Sequence, residues 1–167
     1  FFNYKIGDSK IDYRNCGANG AAMRILPIAL ANIGDLEKIK KNIFTNSIIT
    51  HGHGRAIIGA LIYGIAINQV YNYSNDNFEP LDFLTDLGKN IHNHLAINFN
   101  EINGISEWLE KWNTSWYINF ETHYSEIIEE VYLQLQGLFK AIRDKTPYRN
   151  VLSDLGCFRI ETKGSGT

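Results

Sequence analysis

Disulfides are the first thing this sequence does without. Its two cysteines, Cys16 and Cys157, stand far apart and form no framework, which makes a reduced, cytoplasmic setting the expectation. An excess of charge of one sign is missing too. Sixteen Lys and Arg face eighteen Asp and Glu, for a net charge of −2, so electrostatics point to no nucleic-acid partner. Long apolar runs are scarce. The longest, residues 56–67, is broken by Gly59 and Gly64 and falls short of the roughly 20 residues a bilayer span needs, so no membrane is expected. No basic segment leading into an apolar stretch opens the sequence, so no signal peptide is visible in it. Alternating strand patterns are nearly absent, with residues 157–160 the one short candidate.

Paired carboxylates are the most consequential gap. Hydrolysis of a glycosidic bond needs two acids or a metal-held water. Here the acids scatter along helical stretches: Asp35 and Glu37, Asp82 and Asp86, then Glu126, Glu129 and Glu130. Each group reads as a solvated helix face. Only Asp8 and Asp12 precede the glycine turn described below, and no Ser-His-Asp set can be assembled.

What the chain does have is helical periodicity. Its 167 residues, 44% hydrophobic and 20% charged, suit one globular domain. Residues 20–33 are apolar on every side except Arg24, which predicts a buried helix that Pro27 kinks or starts. Asp35 is set to cap an amphipathic helix with Leu36, Ile39, Ile43, Ser47 and Ile48 inward and Glu37, Lys38, Lys40 and Lys41 outward. Residues 54–73 predict a second buried helix, whose Ala56, Gly59, Ala60 and Gly64 would let a neighbour approach closely. Further helices are expected at 80–95, 102–113 and 121–144, with 146–167 mostly loop. The fold class is all-α. The chain opens at Phe1 and closes on Gly164-Ser165-Gly166-Thr167, and both ends read as cut, so an interior piece of a larger protein is expected.

Two turns hold the chemistry. Gly17, Asn19 and Gly20 lead directly into Ala21-Ala22-Met23-Arg24. Such a turn either caps the helix or presents backbone N–H groups and the Asn19 amide to a phosphate or sugar. It is no P-loop, because no Gly-Lys-Ser/Thr follows. Downstream, Thr50-His51 precedes Gly52-His53-Gly54-Arg55. His51 and His53 could converge on a metal from a loop, but no Cys or carboxylate cluster completes a zinc site. His92 and His94, two apart on a helix, point different ways and cannot share an ion. The closing Gly-x-Gly, residues 164–166, is a connector or a second ligand loop.

Asn19-Gly20-Ala21-Ala22-Met23-Arg24 followed by Pro27 resembles the Gly-Asn-Gly-Ala-(Leu/Ala)-Met-Arg-x-x-Pro segment of the ADP-ribosylglycohydrolases. Thr50-His51 with the following core helix resembles that family's Thr-His loop, and residues 164–167 are similar to a later glycine-rich loop. The resemblance implies an all-α, orthogonal multi-helix bundle that binds ADP-ribose or an ADP-ribosylated substrate, and two magnesium ions that activate water. It implies substrate contacts at Cys16, Gly17, Ala18, Asn19 and Gly20, at His51, and at Gly166 and Thr167. It assigns no catalytic residue and no metal ligand within this sequence: the family's Thr-Asp-Asp and Asp-x-Asp-Thr metal elements do not occur here. Cys16 and Ala18 replace residues that are often Ser or Gly. Two other outcomes fit such a chain: a non-catalytic ADP-ribose or nucleotide binder, and a structural relative of the crystallin kind. The prediction for the 167-residue chain by itself is no hydrolase activity and weak magnesium binding, and robust turnover of an ADP-ribosylated substrate by the purified chain would contradict it.

Overall fold

A computed structural model describes residues 5–6, 9–10, 12–73, 78–114 and 117–158. Two-residue strands β1 (Lys5–Ile6) and β2 (Ser9–Lys10) pair antiparallel, Lys5 opposite Lys10. Every larger element among the described residues is helical, as expected. In chain order the helices are α1 (Gly20–Met23), α2 (Leu26–Ala31), α3 (Leu36–Ile48), α4 (Gly54–Tyr71), α5 (Pro80–Lys89), α6 (Ile91–Leu95), α7 (Ile105–Asn113), α8 (Phe120–Arg143) and α9 (Tyr148–Asp154). No helix among the described residues is long and apolar enough to cross a membrane.

The apolar helix α4 sits at the centre and touches α1, α2, α3, α5, α6 and α8. Ile57, Leu61 and Ile65 on α4 are fully buried against Ile39, Ile43 and Phe44 of α3 and Ile25 of the α1–α2 corner. Aromatic rings close the other side: Phe44 lies 5.5 Å from Phe99 and 6.2 Å from Phe120, and Trp108 lies 4.8 Å from Phe120, all edge-on, an arrangement favoured by the ring quadrupoles. Asp35 caps α3 as predicted, accepting from Lys38 N–H at 3.0 Å.

Several expected elements differ in detail. The single helix over 20–33 is two short ones, because Pro27 has no N–H to continue the ladder from α1 and instead sits in the first turn of α2. Nor is it buried all round: Met23 is 77% exposed, and Leu26 and Leu30 also face solvent. The 80–95 helix breaks at Asn90, and α7 begins at Ile105, after Gly104 in the left-handed region (φ 74°). α8 ends at Arg143, and Pro147 then opens α9, inside a stretch expected to be loop. Lys40, expected outward, is only 4% exposed and pairs with Glu37 at 2.8 Å. Cys157 and Phe158 lie in a turn rather than a strand, and residues 159–160 lie outside the described residues.

Of the small residues on α4, Gly64 is the close-approach point and Gly59 is not. A Cβ at Gly64 would overlap Ile43 Cδ1 and sit 3.5 Å from Ile25 and Ile39, whereas one at Gly59 meets nothing within 4 Å. Gly64→Ala should therefore destabilise, since overpacking costs about 1–3 kcal/mol against a helix-propensity gain of about 1 kcal/mol. Gly59→Ala should stabilise by up to about 1 kcal/mol. Urea unfolding of the two variants checks this, with opposite shifts of the midpoint expected.

Candidate functional site

The two turns singled out by the sequence lie side by side, laced through Tyr13. Asp12 caps a single 3-10 turn, residues 13–15, by accepting from Arg14 N–H at 3.1 Å. The Tyr13 carbonyl then accepts two amides, Cys16 N–H from the first turn and Gly52 N–H from the second, both at 3.1 Å, and the Cys16 carbonyl accepts from His53 N–H at 3.4 Å. The buried Tyr13 hydroxyl donates to the Ile48 carbonyl and accepts from Trp108 Nε1 at 3.0 Å. Burial pushes its phenol pKa upward, so it stays a donor. Trp112 Nε1 donates to the Gly52 carbonyl at 2.8 Å. Gly52 has no room for a side chain: a Cβ would lie 2.7 Å from the Tyr13 carbonyl oxygen.

In the first turn Ala18 and Asn19 are exposed. Asn19 holds the cap position of α1, yet its side chain makes no capping bond, so its amide is not spent on its own helix. The N–H groups of Gly17, Ala18, Asn19 and Gly20 donate no hydrogen bond among the described residues. Because α1 is one turn long, these amides act as individual donors and little macrodipole stands behind them. Gly17 and Gly20 serve close approach rather than unusual dihedrals, since neither has positive φ. A Cβ at Gly20 would lie 3.2 Å from His51 Cε1 and Nε2, and one at Gly17 3.4 Å from His53 Cγ. Cys16 spends both backbone groups on the lacing. Its thiol points at the Asp12 carbonyl, and burial, then the Asp12 charge, push its pKa up, which suits a bystander rather than a nucleophile.

Three imidazoles line the second turn and α4. His51 Nδ1 lies 2.8 Å from Thr50 Oγ1, and burial, then Arg24, hold its pKa below the usual value. His53 Nδ1 accepts from Arg55 N–H at 3.2 Å. Burial first, then His123 and Arg55, press its pKa down to about 4, against a smaller opposing pull from Glu130. His123, on α8, was not singled out by the sequence. Its Nε2 accepts the first amide of α4, Gly54 N–H, at 3.2 Å, and its ring stacks on Trp112 at 5.5 Å and meets His53 edge-on at 4.8 Å. Arg55 reaches across to α8 and grips both carboxylate oxygens of Glu130 at 2.9 and 2.7 Å.

His51 and His53 thus point at different partners instead of one metal. No group of three or more His, Cys, Asp or Glu among the described residues could hold an ion. The acids nearest the turns, Asp12 and Glu130, are committed to Arg14 and Arg55. The described residues do not fit a magnesium site. His92 pairs with Glu129 at 2.7 Å. Gly166 and Thr167 lie outside the described residues.

A family model described as ADP-ribosylglycohydrolase matches residues 3–155. The chain belongs to the ADP-ribosylglycohydrolase family. No curated protein and no solved structure matches it. The match takes in both turns and all nine described helices, so the all-α bundle is the ADP-ribosylglycohydrolase scaffold. Among ADP-ribosylglycohydrolase residues that the sequence pattern marks, 16–20 and His51 meet at one place on the surface. Tyr13, Trp112 and His123, which help hold that place together, carry no local signal beyond their residue type.

His53 gives this site a pH signature. Folded, it stays neutral to about pH 4, while an unfolded histidine takes a proton near pH 6.5. Its contribution to stability is complete above about pH 6.5 and is lost as pH falls toward 4. Urea midpoints measured from pH 7 to 4 should fall, and His53→Gln should flatten part of that fall.

Proposed function

We propose that this chain forms the substrate-binding wall of a hydrolase that removes ADP-ribose from an ADP-ribosylated substrate, by cleavage at the anomeric carbon of the distal ribose. The observation that carries this reading is the meeting of the two turns: unspent amides at residues 17–20 and an uncommitted Asn19 side chain lie next to His51 on an open surface. Asn19 and the amides bind ribose hydroxyl and phosphate oxygens, and His51 orients the substrate. Backbone N–H groups clustered in a turn suit anionic oxygens well. The glycines at 17 and 20 matter here because they let the second turn close against the first.

The two magnesium ions implied by the resemblance would polarise the scissile bond and activate water in the complete hydrolase. The described residues offer them no ligand set, so the part proposed for this chain is confined to binding and orientation. Free cysteines at 16 and 157 suit a reducing compartment such as the cytoplasm.

Calorimetry with ADP-ribose tests the reading. Asn19→Ala should weaken binding about tenfold, the worth of one good hydrogen bond to a polar ligand, without lowering stability, because that side chain caps nothing. Unchanged affinity in a folded Asn19→Ala protein would remove the cradle.

A further inference from the structure

The Arg24 side chain reaches back from the end of α1 to the corner where α3 ends. Its Nε donates to Asn46 Oδ1 at 2.7 Å, and one Nη donates to the Asn46 carbonyl at 2.9 Å and to Thr50 Oγ1 at 2.7 Å. Thr50 Oγ1 in turn lies 2.8 Å from His51 Nδ1. A guanidinium can only donate, so Thr50 Oγ1 accepts from Arg24. The hydroxyl hydrogen then has one described acceptor in reach, the lone pair of His51 Nδ1. Accepting from a cation polarises the O–H and strengthens its donation. The opposite arrangement, with Nδ1–H also aimed at Thr50 Oγ1, would crowd two positive hydrogens onto one oxygen and leave the hydroxyl hydrogen without a described partner.

We infer that Arg24 and Thr50 are positioning residues that fix His51 as the tautomer carrying its proton on Nε2, so that this ring donates to an acceptor oxygen of the ligand lying over Gly20. His51 Nε2 has no hydrogen-bond partner among the described residues, and it faces Gly20, where a Cβ would lie only 3.2 Å away. Lowering of the His51 pKa by burial and by Arg24 keeps the ring neutral and the tautomer defined. An N–H at that place, beside the free amides of residues 17–20, selects oxygens that accept without donating, and the pyrophosphate of ADP-ribose supplies them. This assignment rests on the proposed function for the identity of the ligand but not for the state of the ring.

The test reads both separately. Long-range proton–nitrogen spectra of the 15N-labelled 167-residue chain should show His51 with Nδ1 unprotonated and Nε2 protonated. Thr50→Val should mix the two tautomers, and Thr50→Ser, which keeps the hydroxyl, should restore the wild-type pattern. If Thr50→Val lowers the competent fraction to between about a third and a tenth, ADP-ribose binding weakens about three- to tenfold, and Thr50→Ser recovers it. A proton found on Nδ1 in the wild type, or a folded Thr50→Val protein with unchanged tautomer and affinity, overturns the inference. A wild type that shows the expected tautomer yet binds no ADP-ribose supports the relay and refutes the proposed function.

Discussion

One carbonyl oxygen holds the site together. Tyr13 accepts an amide from each of the two turns at the same distance, and its ring, anchored by Trp108 and the end of α3, supplies the wall against which Gly52 lies flat. Neither turn has regular secondary structure to fix it. Their separation is set instead by shared hydrogen bonding and by glycines that remove the side chains that would keep them apart. A buried carbonyl with two donors is well satisfied, and opening either turn would strand a polar group.

Around that joint the fold behaves as a scaffold of conventional helical packing. α4 runs through the centre, and its first amide is received by His123 of α8, so the helix that carries the core also ends at the site. Trp112 bridges the two regions, giving its indole N–H to Gly52 and its face to His123. The tryptophans and histidines at this end are thus packing and hydrogen-bonding groups at once. The neutral histidines depend on the burial that the same packing creates.

Much of this was legible in the residues. Asp35, the helical spacing of Ile39 and Ile43, and the apolar run of α4 have local signatures, and all appear where periodicity puts them. The turn at 17–20 and the His51 turn were legible as a pair through their resemblance to one family. Local pattern could not say that the Arg24 side chain would turn back to Thr50, or that His123 would meet His53 across two helices, because those contacts span 26 and 70 positions. Lys40 was misread because its charge outweighed its phase: it lies one turn from Leu36 and Phe44 on the buried face of α3, and its ammonium reaches the Asn93 carbonyl of α6. Boundaries at Asn90 and Gly104 also depend on how neighbouring helices dock.

The contact between Gly64 and Ile43 has a consequence for how this fold can drift. Those two positions share one volume, with fully buried Ile25 and Ile39 around it. A bulkier residue at 64 becomes tolerable only if 43 shrinks, so neither position is free to change by itself and their substitution energies cannot add. Relatives that have lost this glycine should carry a compensating small residue on α3.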